Sequence, residues 1–169
     1  MKLASLLTQK KPQIVDRWIK LLYDSYPAQA AVFLKKEKDK FDNPVGFRIA
    51  RGLNEIFTAL VQEMETEQLL AALDEVVRIR ALQDIPPSQA LAFLFLLKNL
   101  VREDLAEEFE KRNLTGELME LDSRIDGLVL LGFDAYTRRR EKLCEIRINE
   151  VKNRVSGLLR KSGLSINSL

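Results

Sequence analysis

Between Arg78 and Gln89 the chain sets Arg78, Arg80, Gln83, Asp84, Ser88 and Gln89 directly ahead of the apolar run Ala90 to Leu97, ALAFLFLL. Guanidinium, amide, carboxylate and hydroxyl groups gathered at the edge of an apolar surface can orient a ligand by hydrogen bonding. On a helix Arg78 and Arg80 point about 200° apart, so only one of them turns inward. A buried guanidinium needs a partner, and Asp74, one turn before Arg78, is a candidate. The same residues also spell an ordinary helix start, with Pro86 and Pro87 followed by Ser88 and Gln89. Two readings therefore stand for this stretch: a ligand pocket, or a tight corner between two helices. A pocket of several hundred Å³ lined by Trp18, Arg78 and Phe93 would favour the first; a fully packed interior would favour the second.

Other chemistry is narrowed by what the chain lacks. Histidine is absent, which removes the Ser-His-Asp and Cys-His nucleophile systems and histidine-ligated zinc or haem. No glycine-rich phosphate loop of the GxGxxG or GxxxxGK kind occurs. The Asp and Glu residues read as solvated helix faces. The single cysteine, Cys144, rules out an intramolecular disulfide and multi-cysteine metal sites. Arg140, Lys142 and Arg147 around it could activate its thiol, but a small apolar residue in a seam explains it more simply. The expectation is a protein that is not an enzyme and has no metal or cofactor, with an unknown small ligand left open.

The charges are nearly balanced, 27 Lys plus Arg against 25 Asp plus Glu, but their distribution is not. Thr137 to Lys161 holds nine basic and three acidic residues, net +6, so the remainder sums to −4. Glu141, Glu145 and Glu150 are interleaved at spacings suited to intrahelical ion pairs, and no aromatic residue is present there to stack on bases. This favours a solvated or protein-docking helix over nucleic acid. The first residues carry no signal-peptide core, and no apolar run approaches a membrane span. The expected location is the cytoplasm.

Helical periodicity with few breakers makes the fold all-α. The pattern predicts a short helix over Leu3 to Gln9, another with Pro12 in its first turn running to about Tyr26, and a third over Ala28 to Lys36. Further helices follow over Val45 to Glu63, from a Thr66 cap to Asp84, and from Ser88 to about Phe109. The ALAFLFLL helix, apolar all round, is expected to be central and packed on every side. After a Thr115 cap, a long helix runs from about Glu117 toward Ser162, with kinks expected near Gly127 or Gly132, and its C-terminal half projects. Cys144, Ile148, Val151, Val155 and Leu158, spaced 4, 3, 4 and 3, form a candidate dimer seam on that half. The alternative is that this seam folds back on its own domain.

The words "RW" at Arg17-Trp18, "SYP" at Ser25 to Pro27, "FLKKEKDKFDNPVG" from Phe33 and "LDEVVRIRALQDIPPSQALAFLFLLK" from Leu73 occur in that order. Together with "RIDGLVLLGFDAYTRRREKLCEIRINEVKNR" from Arg124, they resemble the N-terminal domain of RsbRD-type RsbT co-antagonist proteins. The resemblance implies a globin-like helical bundle without haem, a dimeric sensor whose long C-terminal signalling helix passes information to an output domain. In a globin-like reading the haem-ligand helix is replaced by Thr66 to Asp84, where Val76, Val77, Arg78, Ile79 and Arg80 cannot ligate iron. Arg78, Arg80, Gln83, Asp84, Pro87, Ser88 and Gln89 then line the corner between two central helices.

These readings set residues 1–136 as a sensor domain and 137–169 as a projecting helix and tail with no output domain. The function expected is a non-enzymatic, homodimeric sensory module that relays binding of a ligand or an unidentified signalling partner through its exit helix. The alternative is an adaptor without ligand that docks a partner through the basic C-terminal helix.

Overall fold

The computed structural model describes residues 2–36, 41–62, 66–83 and 85–163. Among them the regular structure is entirely helical: α1 (Leu3–Asp24), α2 (Ala28–Lys36), α3 (Pro44–Gln62), α4 (Thr66–Ala81), α5 (Pro87–Asp104), α6 (Ala106–Lys111) and α7 (Thr115–Lys161).

The first helix departs from the expectation of two segments, because Pro12 sits inside a single α1. A proline there removes the N–H that would bond the Thr8 carbonyl, at a cost of about 3 kcal/mol. It lies on the exposed face, where water can take over that carbonyl. Leu3, Leu6 and Leu7 before it and Ile14, Val15 and Trp18 after it are all buried. Each such side chain contributes about 1.5–3 kcal/mol on burial, so the core holds the helix through its weak point. No acidic residue lies in the first turn of α1; instead Glu117 of α7 accepts the Leu3 N–H at 2.7 Å, placing negative charge at the positive end of the helix.

α3 packs along α4, α1 lies against α3 and α5, and α7 covers α4 and α5. Gly52 lets α3 approach α4 closely, since a Cβ there would stand 2.5 Å from Cγ2 of Val76. α5 begins as the double proline dictates, with Pro86 in extended geometry and Pro87 in the first turn. It ends sooner than expected: Leu105, buried completely, leaves helical geometry and separates α5 from α6. Nor is α5 packed on every side. Ala90, Leu91, Phe93, Leu94 and Leu97 are buried, whereas Ala92 is exposed and Phe95 is 49% exposed. A continuous apolar stretch does not reveal which side a neighbour leaves open.

α7 is 47 residues long, about 70 Å at 1.5 Å per residue, and helical through both Gly127 and Gly132. Its buried residues, Leu121, Ile125, Leu128, Gly132, Ala135 and Tyr136, stop at Tyr136. Between Glu141 and Val155 every residue but Leu143 is exposed. Among the described residues no helix is long and apolar enough to cross a membrane.

Candidate functional site

Of the two arginines near the end of α4, Arg80 turns inward and Arg78 faces solvent. The Arg80 side chain is 2% exposed. Its Nη2 donates to the Gln89 carbonyl at 3.0 Å, its Nη1 to Gln83 Oε1 at 3.1 Å and its Nε to the Ala90 carbonyl at 3.4 Å. The guanidinium also lies over the Tyr26 ring, 4.9 Å from its centroid, a cation–π contact that gains strength away from water. The Tyr26 hydroxyl is buried without a hydrogen-bond partner. Arg80 therefore ties the end of α4 to the first turn of α5 and to the α1–α2 connection.

The anticipated partner, Asp74, is engaged elsewhere: it forms an ion pair with Arg139 of α7. α7 adds two more bonds to the same corner. The Tyr136 hydroxyl donates to the Ile85 carbonyl and Arg140 Nη1 to the Ala81 carbonyl at 3.4 Å. Arg140 thus sets a positive charge at the C-terminus of α4, the end that favours a cation. The α4–α5 corner is held from within by Arg80 and from outside by Tyr136 and Arg140, where α7 stops being buried, and Arg139 grips α4 two turns earlier at Asp74.

Trp18 and Phe93 come together in the interior. Their ring centroids are 6.0 Å apart, and the indole Nε1 donates to the Phe93 carbonyl at 2.6 Å. With exposures of 0% and 2% they are core residues, and solvent-facing Arg78 does not share their surroundings. One turn of α5 separates the carbonyl bound by Trp18 from that bound by Arg80. Ser88 is exposed, Gln89 contributes its backbone rather than its amide, and Asp84 lies outside the described residues.

The seam residues are open to solvent in the single chain. Ile148, Val151, Val155 and Leu158 are 52%, 59%, 48% and 66% exposed, and Cys144 is exposed as well. The sequence reading missed the contributions of Tyr26, Tyr136, Arg139 and Arg140. For Tyr136 a signal existed, since an aromatic with a polar tip ended the apolar pattern of α7; the arginines were hidden within a basic run.

This arrangement offers fixed hydrogen bonds and packed helices. Among the described residues no group of three or more His, Cys, Asp or Glu side chains could hold a metal ion. A family model described as the RsbT co-antagonist protein rsbRD N-terminal domain matches residues 12–151. No curated protein and no solved structure matches the chain.

Proposed function

We propose a function from one premise: the chain belongs to the RsbRD N-terminal domain family. It is a regulatory helical module without catalytic activity that works as a homodimer. Binding at the bundle changes the packing of the α4–α5 corner, and α7 carries the change outward as a two-state shift rather than a chemical step. The observation that carries this reading is the shared clasp: Tyr136 and Arg140 bond the corner, and Arg139 bonds Asp74 of α4, at the point where α7 emerges. A corner that moves must pull on the root of the exit helix. In the globin-like form of the reading, Val76 and Val77, both 0% exposed, fill the space of a ligand-bearing helix with hydrocarbon.

The exposed stripe supports the dimer. At about 100° per residue, Leu130 and Phe133 fall on the same side of α7 as Cys144, Ile148, Val151 and Val155. Leu130 is 70% and Phe133 49% exposed, so apolar residues stand on this side of α7 both over the bundle and on the projecting half, with Thr137 and Glu141 between the two groups. Two parallel copies would bury them, with Ile148 and Val155 alternating against Val151 and Leu158. The flanking Arg138, Arg147, Lys152 and Arg154, all exposed, suit an acidic protein partner.

Sedimentation equilibrium of the full chain tests this. The expected mass is that of a dimer, falling to a monomer in the Val151→Asp, Val155→Asp double variant with helicity retained by circular dichroism. A native chain that sediments as a monomer, or a variant mass equal to the native one, rejects the dimer.

A further inference from the structure

A cleft of about 450 Å³ opens between α1, α2 and α3, lined by Asp16, Ile19, Lys20, Tyr23, Leu34, Lys35, Gly46, Phe47 and Ala50. It lies apart from the Arg80 corner, and its volume falls within the range of about 300–1,000 Å³ typical of small-molecule sites.

One wall is fixed by a chain of hydrogen bonds. The Tyr23 hydroxyl donates to the Gly46 carbonyl at 2.8 Å, the Gly46 N–H to Asn43 Oδ1 at 2.8 Å, and Asn43 Nδ2 to the Leu34 carbonyl at 3.3 Å. Asn43, only 1% exposed, thereby caps α3 and secures the end of α2 in one stroke. Gly46 is required here, because a Cβ would stand 2.2 Å from Asn43 Nδ2. Three lining residues from three helices are thus held in place before any ligand arrives, which lowers the ordering cost of binding.

The lining also has a chemical direction. Ile19, Leu34 and Ala50 supply aliphatic surface, and Tyr23 and Phe47 supply aromatic rings, that of Phe47 in a residue 42% exposed. The Lys20 side chain makes no ion pair or hydrogen bond among the described residues, while the Lys35 side chain is paired with Asp24. Asp16, one turn before Lys20 on α1, adds one negative charge to the same wall.

We propose that this cleft binds a small aromatic monocarboxylate, its ring between Tyr23, Leu34 and Phe47 and its carboxylate against Lys20 and Lys35. The inference does not depend on the dimer, and calorimetry can reject it while the sedimentation result stands.

The test is isothermal titration of the intact chain with three probes that share one ring system: indoleacetate (anion), skatole (neutral) and tryptamine (cation). Saturable binding of one indoleacetate per chain is expected, at least about tenfold tighter than skatole, a ratio worth about 1.4 kcal/mol, with tryptamine weaker still. Lys20→Glu should lose that tenfold preference, and Ala50→Phe, which fills the cleft, should abolish binding of indoleacetate and skatole alike. Lys20 is exposed, so the first variant tests the idea even if the second fails to fold. No saturable binding of indoleacetate, equal affinity for the anion and the neutral probe, or unchanged binding in Lys20→Glu would overturn the proposal.

Discussion

At Arg80, lysine should be more damaging than methionine, although it is the closer chemical relative. The native guanidinium makes two good hydrogen bonds, at 3.0 and 3.1 Å, and one weak bond at 3.4 Å. At about 1.5–3 kcal/mol for each good charged bond and about 1–2 for the desolvated contact with Tyr26, the gain is about 4–8 kcal/mol. Against it stands the several kcal/mol needed to bury a cation with no carboxylate beside it among the described residues, so the two nearly cancel. Methionine gives up both sides of that balance and adds about 1.5–3 kcal/mol of apolar burial. The Gln89 and Ala90 carbonyls keep the N–H bonds of their own helix. Lysine keeps the burial cost but presents one compact ammonium where a planar fork is needed, losing about 2–4 kcal/mol. For a chain of this size each kcal/mol moves Tm by about 2–4 °C. Arg80→Met should therefore rise above the native midpoint by about 3–12 °C, and Arg80→Lys should fall by about 4–16 °C. An unpaired buried ammonium is pushed below its unfolded value of about 10.4. In Arg80→Lys the unfolded state then binds the extra proton, so stability recovers as pH rises toward about 10. Thermal unfolding followed by circular dichroism at several pH values measures both effects. A methionine variant less stable than the lysine variant would refute the reasoning, because it would mean that the guanidinium bonds far exceed the cost of burying the charge.

Three further substitutions probe the packing around this frame. Tyr26→Phe removes a buried hydroxyl without a partner and keeps the ring under Arg80, so it should stabilise by about 1 kcal/mol in a urea titration; a loss of that size would reveal a bond to the hydroxyl. Gly52→Ala gains about 1 kcal/mol of helix propensity, yet its Cβ meets Val76 at 2.5 Å, where overpacking costs about 1–3 kcal/mol; a net loss of about 1 kcal/mol is expected, and a rise in stability would show that α3 and α4 part freely. Burial, reinforced by the neighbouring Tyr26, raises the Tyr23 phenol to about 12 from 10.0. Being raised, it contributes about 2–3 kcal/mol that is present below about pH 10 and lost as pH climbs toward 12. Tyr23→Phe should flatten that alkaline limb of urea midpoints relative to the native chain; identical limbs would sink the assignment.

Helix content was legible because apolar residues recur with the helical period, and α2 begins at Ala28, where the preceding Tyr26-Pro27 turn predicts. Where the reading failed, tertiary contacts decided. Pro12 suits the first turn of a new helix, where its missing N–H costs nothing, but buried residues on both sides carry a single α1 through it. ALAFLFLL has no polar residue to mark its open side, so the exposure of Ala92 and Phe95 depends on where neighbouring helices end. At the corner, helical geometry separated the two arginines but could not choose between them. Asp74 was in reach of Arg78 along the helix, and only the fold brings Arg139, 65 residues later, to it. The cleft between α1, α2 and α3 had no contiguous motif, because its lining comes from three helices joined through Asn43.

Past Arg140 the described side-chain bonds of α7 stay within the helix itself, such as Lys142 to Glu145. Glu141 to Lys161 is then a cantilever about 31 Å long, anchored at its base by a tyrosine and two arginines. A tilt of about 10° at that anchor would sweep the far tip through about 5 Å, roughly one helical turn. An adjustment too small to alter the bundle's interior is magnified at the distant end into a displacement that a bound neighbour could register.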